Sequence, residues 1–175
     1  MNSQTVLFPE PHISTDLTEQ LLTLPFEAFE RVICSLLPAM GYHSARIVSR
    51  KHFKGRHEAA GADLIGLVTA GSTEVPVYVM VKQFRRPVQR RFVDELRGAM
   101  VRQGVTRGLI VTTGMFPSGT QEAARAVSGS TIGLIDGAEL CSLLVQHRIG
   151  VCESWNPTLW VDTAFFERLA AKYQS

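Results

Sequence analysis

The chain has 175 residues, 45% of them apolar and 19% charged, with a formal net charge of +2. That length carries one domain with a sizeable core, and the composition excludes a disordered or fibrous protein. No apolar run approaches the roughly 18 residues needed to span a bilayer. The opening residues, MNSQTVLFPEPH, lack the basic start and apolar centre of a secretory signal. Cys34, Cys141 and Cys152 are far apart and form no CxxC pair. Reduced thiols in a cytoplasmic protein without a membrane partner are therefore expected.

Residues 1–23 read as an arm, with at most a short helix near Asp16 to Leu22. Leu24 to Met40 is expected to be a helix, with Pro25 in its first turn and Gly41 as its stop. Pro38 should distort or end its last turn. Phe26, Phe29, Ile33, Leu37 and Met40 form its apolar stripe. Glu30 shares or borders that stripe. A buried carboxylate is costly unless paired or coordinating; otherwise Glu30 sits at the edge and reaches solvent.

Ala45 to Ser49 is a short strand candidate. Arg50 to Ala60 (RKHFKGRHEAA) is a polar, basic loop, expected at the mouth of a site. His52 and His57 in it lack metal-ligand spacing. Ala62 to Thr69 and Pro76 to Phe84 read as two strands joined by a turn at Gly71-Ser72. Val88 to Gln103 is a helix, with Val88, Phe92, Leu96 and Met100 facing the core and Gly98-Ala99 permitting close backbone approach. Arg107 to Thr113 is a central strand, apolar on both faces. Ser118 opens a helix through about Val127, Thr131 to Ile135 is a short buried strand, and Asp136 caps a helix from Ala138 to His147. The tail, 150–175, holds Trp155 and Trp160 and ends in an amphipathic helix, Asp162 to Tyr173. That helix either packs on its own domain or makes a homodimer contact. Strands alternating with helices imply right-handed crossovers and parallel pairing, and the hairpin adds an antiparallel portion. The expected architecture is α/β, three layers around a central mixed sheet.

Two charged residues stand out in the apolar hairpin. Asp63 opens its first strand and Lys82 lies near the end of its second. Side chains two apart on a strand point the same way, so Met80, Lys82 and Phe84 share one face and Val79, Val81 and Gln83 the other. A carboxylate and an ammonium meeting at one sheet end suit phosphodiester hydrolysis. A divalent ion on the carboxylate can bind the phosphate and acidify water, and magnesium takes one or two carboxylates with waters and substrate oxygens. The lysine can orient water or neutralise developing charge. A structural ion pair is the competing reading. Arg85, Arg86, Arg90, Arg91, Arg97, Arg102 and Arg107 follow Lys82, opposed there only by Asp94 and Glu95. They make either a nucleic-acid surface or a solvated helix face with intrahelical pairs.

The segments LPFEAFERVICSLLPAMGY, GADLIGLV, VPVYVMVKQF, VDELRGAM, RGLIVTTGMF and IGLIDGAEL stand in that order. From about Leu24 to Val145 the chain resembles the Mrr-like (type IV) restriction endonuclease domain of the PD-(D/E)xK nuclease superfamily. The resemblance implies a restriction-endonuclease-like domain over 24–149 and metal-dependent cleavage of double-stranded DNA with Mg2+ or Mn2+. Asp63 resembles the family's metal-binding aspartate, Lys82 its catalytic lysine, Glu30 the acidic residue of its first helix, and Thr112-Thr113 its threonine-rich strand end. The Val81 main-chain carbonyl is a candidate metal ligand. Arg85, Arg86, Arg90, Lys54 and Arg56 are the candidate DNA contacts. The chain departs from the family at Met80, where Glu or Gln usually stands. A thioether is a poor ligand for magnesium or manganese, and Gln83 points to the other face. Glu30, Glu58 or a main-chain carbonyl would have to complete the site. The alternative is a catalytically weakened module that binds DNA or a partner protein. With no separate reader domain identified, specificity is expected to come from a partner or to be low.

Overall fold

The structure is a computed structural model, and it describes residues 11–48, 61–125, 129–153 and 159–173. In chain order these form α1 (Pro11–Thr23), α2 (Phe26–Ala39), β1 (His43–Ile47), β2 (Leu64–Ala70), β3 (Thr73–Lys82), α3 (Arg91–Gln103) and β4 (Arg107–Thr112). Then follow α4 (Ser118–Arg125), β5 (Thr131–Ile135), α5 (Gly137–Gln146), β6 (Val151–Glu153), β7 (Leu159–Val161) and α6 (Thr163–Ala171).

The main sheet runs β1-β2-β3-β4-β5. The pairs β1–β2 and β2–β3 are antiparallel, and β3–β4 and β4–β5 are parallel. Ala70 pairs with Thr73, so Gly71-Ser72 is the whole hairpin loop, and Gly71 takes φ +64° there. The alternation of β3 divides the core in two. Val77, Val79 and Val81 pack with Leu17 and Leu21 of α1, Phe29, Ile33 and Leu37 of α2, and Leu140 and Leu144 of α5. Tyr78 and Met80 pack on the opposite face with Val93, Leu96 and Met100 of α3 and Ala123 and Ala124 of α4. This is the expected three-layer mixed-sheet architecture.

Helix boundaries follow local chemistry. Pro25 is the N-cap of α2, and Pro38 stands one residue before that helix ends. Gly104, in the left-handed region, terminates α3. The Asp136 carboxylate accepts from the Glu139 N–H and the Asp162 carboxylate from the Phe165 N–H, capping α5 and α6. The small-residue approach expected at Gly98-Ala99 is met by Gly61. A Cβ added to Gly61 would lie 2.9 Å from that of Ala99.

Four expectations need correction. Of the segment expected to be an arm, residues 11–23 form a helix whose Leu17 and Leu21 are fully buried, so this part belongs to the core; residues 1–10 lie outside the described residues. The sequence of this helix hides its burial because its apolar stripe is short and diluted by Ser, Thr and Gln. The helix expected from Val88 begins at Arg91. Val88 is buried, but its N–H donates to the Met115 carbonyl and its own carbonyl accepts from Thr120 Oγ1, so its backbone is committed outside a helix. The strand expected to reach Phe84 stops at Lys82. The tail contains an antiparallel hairpin, β6–β7, too short to show an alternation.

In the tail, Phe166 is buried in the core with Phe165, Leu169 and Tyr173 packed against it, so the apolar side of α6 is used within the chain. Trp160 is exposed. No helix among the described residues is long and apolar enough to cross a membrane. Cys34, Cys141 and Cys152 are free thiols. Burial pushes the Cys34 and Cys141 thiols above their usual range.

Candidate active site

Asp63 precedes β2, which runs antiparallel to β3, so it lies at the sheet end where β3 and β4 finish. Its N–H donates to the Val79 carbonyl at 2.8 Å. Its Oδ2 accepts from the Val81 N–H at 2.7 Å. The carboxylate therefore takes the place of the next ladder acceptor, where β2 has ended. A strand residue turns its N–H and C=O toward the same neighbour, so the Val81 carbonyl faces the Asp63 side.

Lys82 is the next residue and belongs to the opposite face. Its ammonium stands 5.1 Å from the centroid of the Phe92 ring, on α3. Such a contact is worth about 0.5–1 kcal/mol when exposed. Among the described residues Lys82 makes no ion pair, so a structural Asp63–Lys82 bridge does not explain the two charges.

Glu30 is 4% exposed, so it does not reach solvent from the stripe's edge. It sits on α2, in the layer that packs against Val79 and Val81, across the sheet from the Lys82 side chain. The fold thus places Asp63, Val81 and Lys82 at one strand end, and Glu30 is buried on α2 in the layer opposite the Lys82 side chain.

Met80 is 1% exposed and packed among α3 and β4 residues. It fills core space and offers a thioether where an oxygen would be needed. Gln83 is also accounted for. Its Nε2 donates to the Leu21 and Leu24 carbonyls at 2.7 and 2.8 Å, closing the carboxyl end of α1. Among the described residues no group of three or more His, Cys, Asp or Glu is placed to hold a metal ion. The Asp63 carboxylate and the Val81 carbonyl are oxygen groups that could hold a hard cation at this strand end, and the Met80 thioether is not such a group. Glu58, His52 and His57 lie outside the described residues, as do Lys54 and Arg56.

The arginines divide into several environments. Arg85 forms a bidentate pair with Glu19 of α1, both bonds 2.7 Å. That partner holds the Glu19 carboxyl below its usual range and the guanidinium above its own. Arg86 stacks on Phe84 and Arg91 on Phe92, at 5.2 and 4.8 Å. Arg90 reaches Asp94 at 3.5 Å, one helical turn on. Arg97 is only 14% exposed and donates to the Ala123 carbonyl at the end of α4. Arg97 is thus a structural residue inside what reads as a basic run. The sequence gives no sign of Glu19 or Gln83 as partners, since each bond spans more than 58 residues.

A mixed five-stranded sheet between two helical layers carries an aspartate and a lysine at one strand end. Residues 21–144 match the family model Mrr_cat, described as restriction endonuclease. The chain belongs to this family. Over 155 residues it is 26% identical to the type IV methyl-directed restriction enzyme EcoKMrr of Escherichia coli K12. That alignment covers 89% of this chain and 49% of the relative, so the chain spans about half the length of that Mrr enzyme. Two solved structures share the fold. The DNA modification-dependent restriction endonuclease AspBHI matches with TM-score 0.64 and 18% identity, over 98% of this chain and 43% of that one. The restriction endonuclease MspJI, solved in complex with a 27-mer oligonucleotide, matches with TM-score 0.66 and 21% identity, over 100% and 38%. Met80, at the position where the sequence departs from what the resemblance implies, is packed in the core.

Proposed function

We propose that this Mrr-family domain hydrolyses phosphodiester bonds of double-stranded DNA with a divalent metal ion, Mg2+ or Mn2+. The observation that carries this reading is the Asp63 carboxylate anchored on the Val81 N–H beside Lys82, whose ammonium has no ion-pair partner among the described residues. A bound divalent ion would polarise the phosphate and acidify a water, and Asp63 with the Val81 carbonyl would hold it. Lys82 orients the attacking water and offsets charge that develops on the phosphate oxygens. Water adds to phosphorus as the bond to the leaving ribose oxygen breaks, and the water's proton ends on that oxygen. Glu30 supports the site from the α2 layer. Arg86 and Arg90 are exposed beside it and meet the DNA backbone. Arg85 joins them when a phosphate displaces Glu19 from its guanidinium.

Supercoiled plasmid with Mn2+ tests this reading. The protein should nick it, and EDTA, Lys82→Ala and Asp63→Asn should each abolish nicking, while a gel shift with the two variants still reports DNA binding. Nicking that survives Lys82→Ala would remove this lysine from the chemistry.

A second reading rests on Met80. With a buried methionine replacing an oxygen donor, the domain would bind DNA, or a partner that supplies specificity, without cutting it. Bound but intact plasmid with the parental protein would favour this reading. Recovery of metal-dependent nicking by Met80→Glu would then place the defect at that position.

A further inference from the structure

The segment that leaves β3 carries Lys82, Arg85 and Arg86, yet beyond Lys82 it is neither strand nor helix until α3. It is nevertheless fixed to β4 and the loop after it, at alternate residues. The Lys82 carbonyl accepts from Thr112 Oγ1 at 2.7 Å and from the Thr113 N–H at 3.2 Å. The Phe84 carbonyl accepts from Thr113 Oγ1 at 3.0 Å. At Arg86 the contact is steric: a Cβ on Gly114 would lie 2.6 Å from its carbonyl oxygen, so only a glycine lets the two backbones meet. Val88 closes the series, its N–H bonded to Met115 and its carbonyl to Thr120.

Thr112 is the first clamp and the one nearest Lys82. It is fully buried. Its hydroxyl donates to the Lys82 carbonyl and accepts from the Gly114 N–H at 3.0 Å, so both roles of the oxygen are used. Lys82 pairs with Thr112 in the last rung of the parallel ladder. Beyond that rung the sheet no longer holds the chain, and the hydroxyl supplies the second donor to the carbonyl. Valine has nearly the same β-branched shape and β propensity, so packing alone does not demand the hydroxyl.

We propose that Thr112 is a positioning residue: its buried hydroxyl fixes the main chain of Lys82 and thereby sets where the ammonium stands. This rests on the hydrolytic role proposed above for Lys82. A misplacement of about 1 Å at a reacting group costs on the order of 100-fold in rate, so the effect falls on the chemical step and not on DNA affinity.

The test compares Thr112→Val with Thr112→Ser, and it has a readout that needs no cleavage. The chain has four lysines, Lys51, Lys54, Lys82 and Lys172, so reductive 13C-methylation yields few NMR signals, and Lys82→Ala assigns the one required. The Phe92 ring should displace that signal from those of the other lysines and the α-amino group. Thr112→Val should move it toward them and slow single-turnover nicking about 10- to 100-fold, with the DNA Kd within about twofold of the parent. Thr112→Ser should restore both. An unmoved signal in a folded Thr112→Val protein overturns the proposal. So does a displaced signal with an unchanged nicking rate, or a rate loss that a weaker Kd explains. A parental protein that never nicks instead removes the hydrolytic reading, and the NMR signal still decides whether Thr112 places Lys82. Should Thr112→Val not fold, Thr112→Ala takes its place beside Thr112→Ser.

Discussion

The two faces of β3 end in different ways. On the odd face Val77, Val79 and Val81 are core, and the series finishes at Gln83. On the even face Tyr78 and Met80 are core, and it finishes at Lys82. The amide of Gln83 is spent twice on helix-end carbonyls. The ammonium of Lys82 faces an aromatic ring and makes no ion pair with a described residue. The end of β3 thus carries two adjacent polar residues, one consumed by helix-end hydrogen bonds and one proposed for the chemistry. Adjacent strand residues face opposite layers, so the α1–α2 layer takes the first polar end and the α3 layer leaves the second available. A polar residue at the end of a buried strand is therefore not evidence of a site until its hydrogen bonds are counted.

Three experiments break or sharpen this contrast. The largest effect belongs to the odd-face core: Phe29→Ala should cost about 3–5 kcal/mol, read as a lower urea midpoint. A loss under about 1 kcal/mol would mean that α2 does not seal that layer.

Next comes a direct exchange between the two polar ends. Gln83→Ala leaves two carbonyls without their donor and should cost about 1–3 kcal/mol. The nicking rate per folded molecule should hold. Lys82→Ala should do the reverse, costing at most about 1 kcal/mol and removing nicking. Equal stability losses would erase the distinction between the two ends.

The smallest effect is at Glu19, which is exposed. Arg85 lowers its folded pKa, so the contribution is present above the unfolded carboxyl value and is lost as pH falls through the folded one. Glu19→Gln should lower Tm slightly at neutral pH, and the gap to the parent should close in acid and in high salt. A gap that widened in acid would reverse the sign of that linkage.

Local pattern revealed most of this fold. The run VPVYVMVKQF shows by alternation alone that Met80 and Lys82 share a face and that Gln83 lies on the other. Gly71-Ser72 marks the hairpin, and Asp136 and Asp162 mark two helix starts. Asp63 and Lys82 stand out because charges are out of place in an apolar hairpin. The arginine run was less legible. As sequence it reads as one basic surface. In the fold Arg97 is half-buried against α4, Arg85 is held by α1, and Arg86 and Arg90 are exposed.

What the amino-acid order settled by itself were the periods of the main sheet: where residues alternate, which share a face, and where the hairpin turn falls. Those depend on neighbours two to four positions away. Only the tertiary structure decided which polar groups are consumed. The partners of Gln83, Arg85, Thr112 and Cys141 lie 62, 66, 30 and 123 residues away in the chain. A hydrogen bond forms wherever folding leaves donor and acceptor within about 3 Å, and no local period records that crossing. Met80 joins the two levels. Alternation assigns it to the Lys82 face, but only burial against α3 shows that its thioether packs in the core.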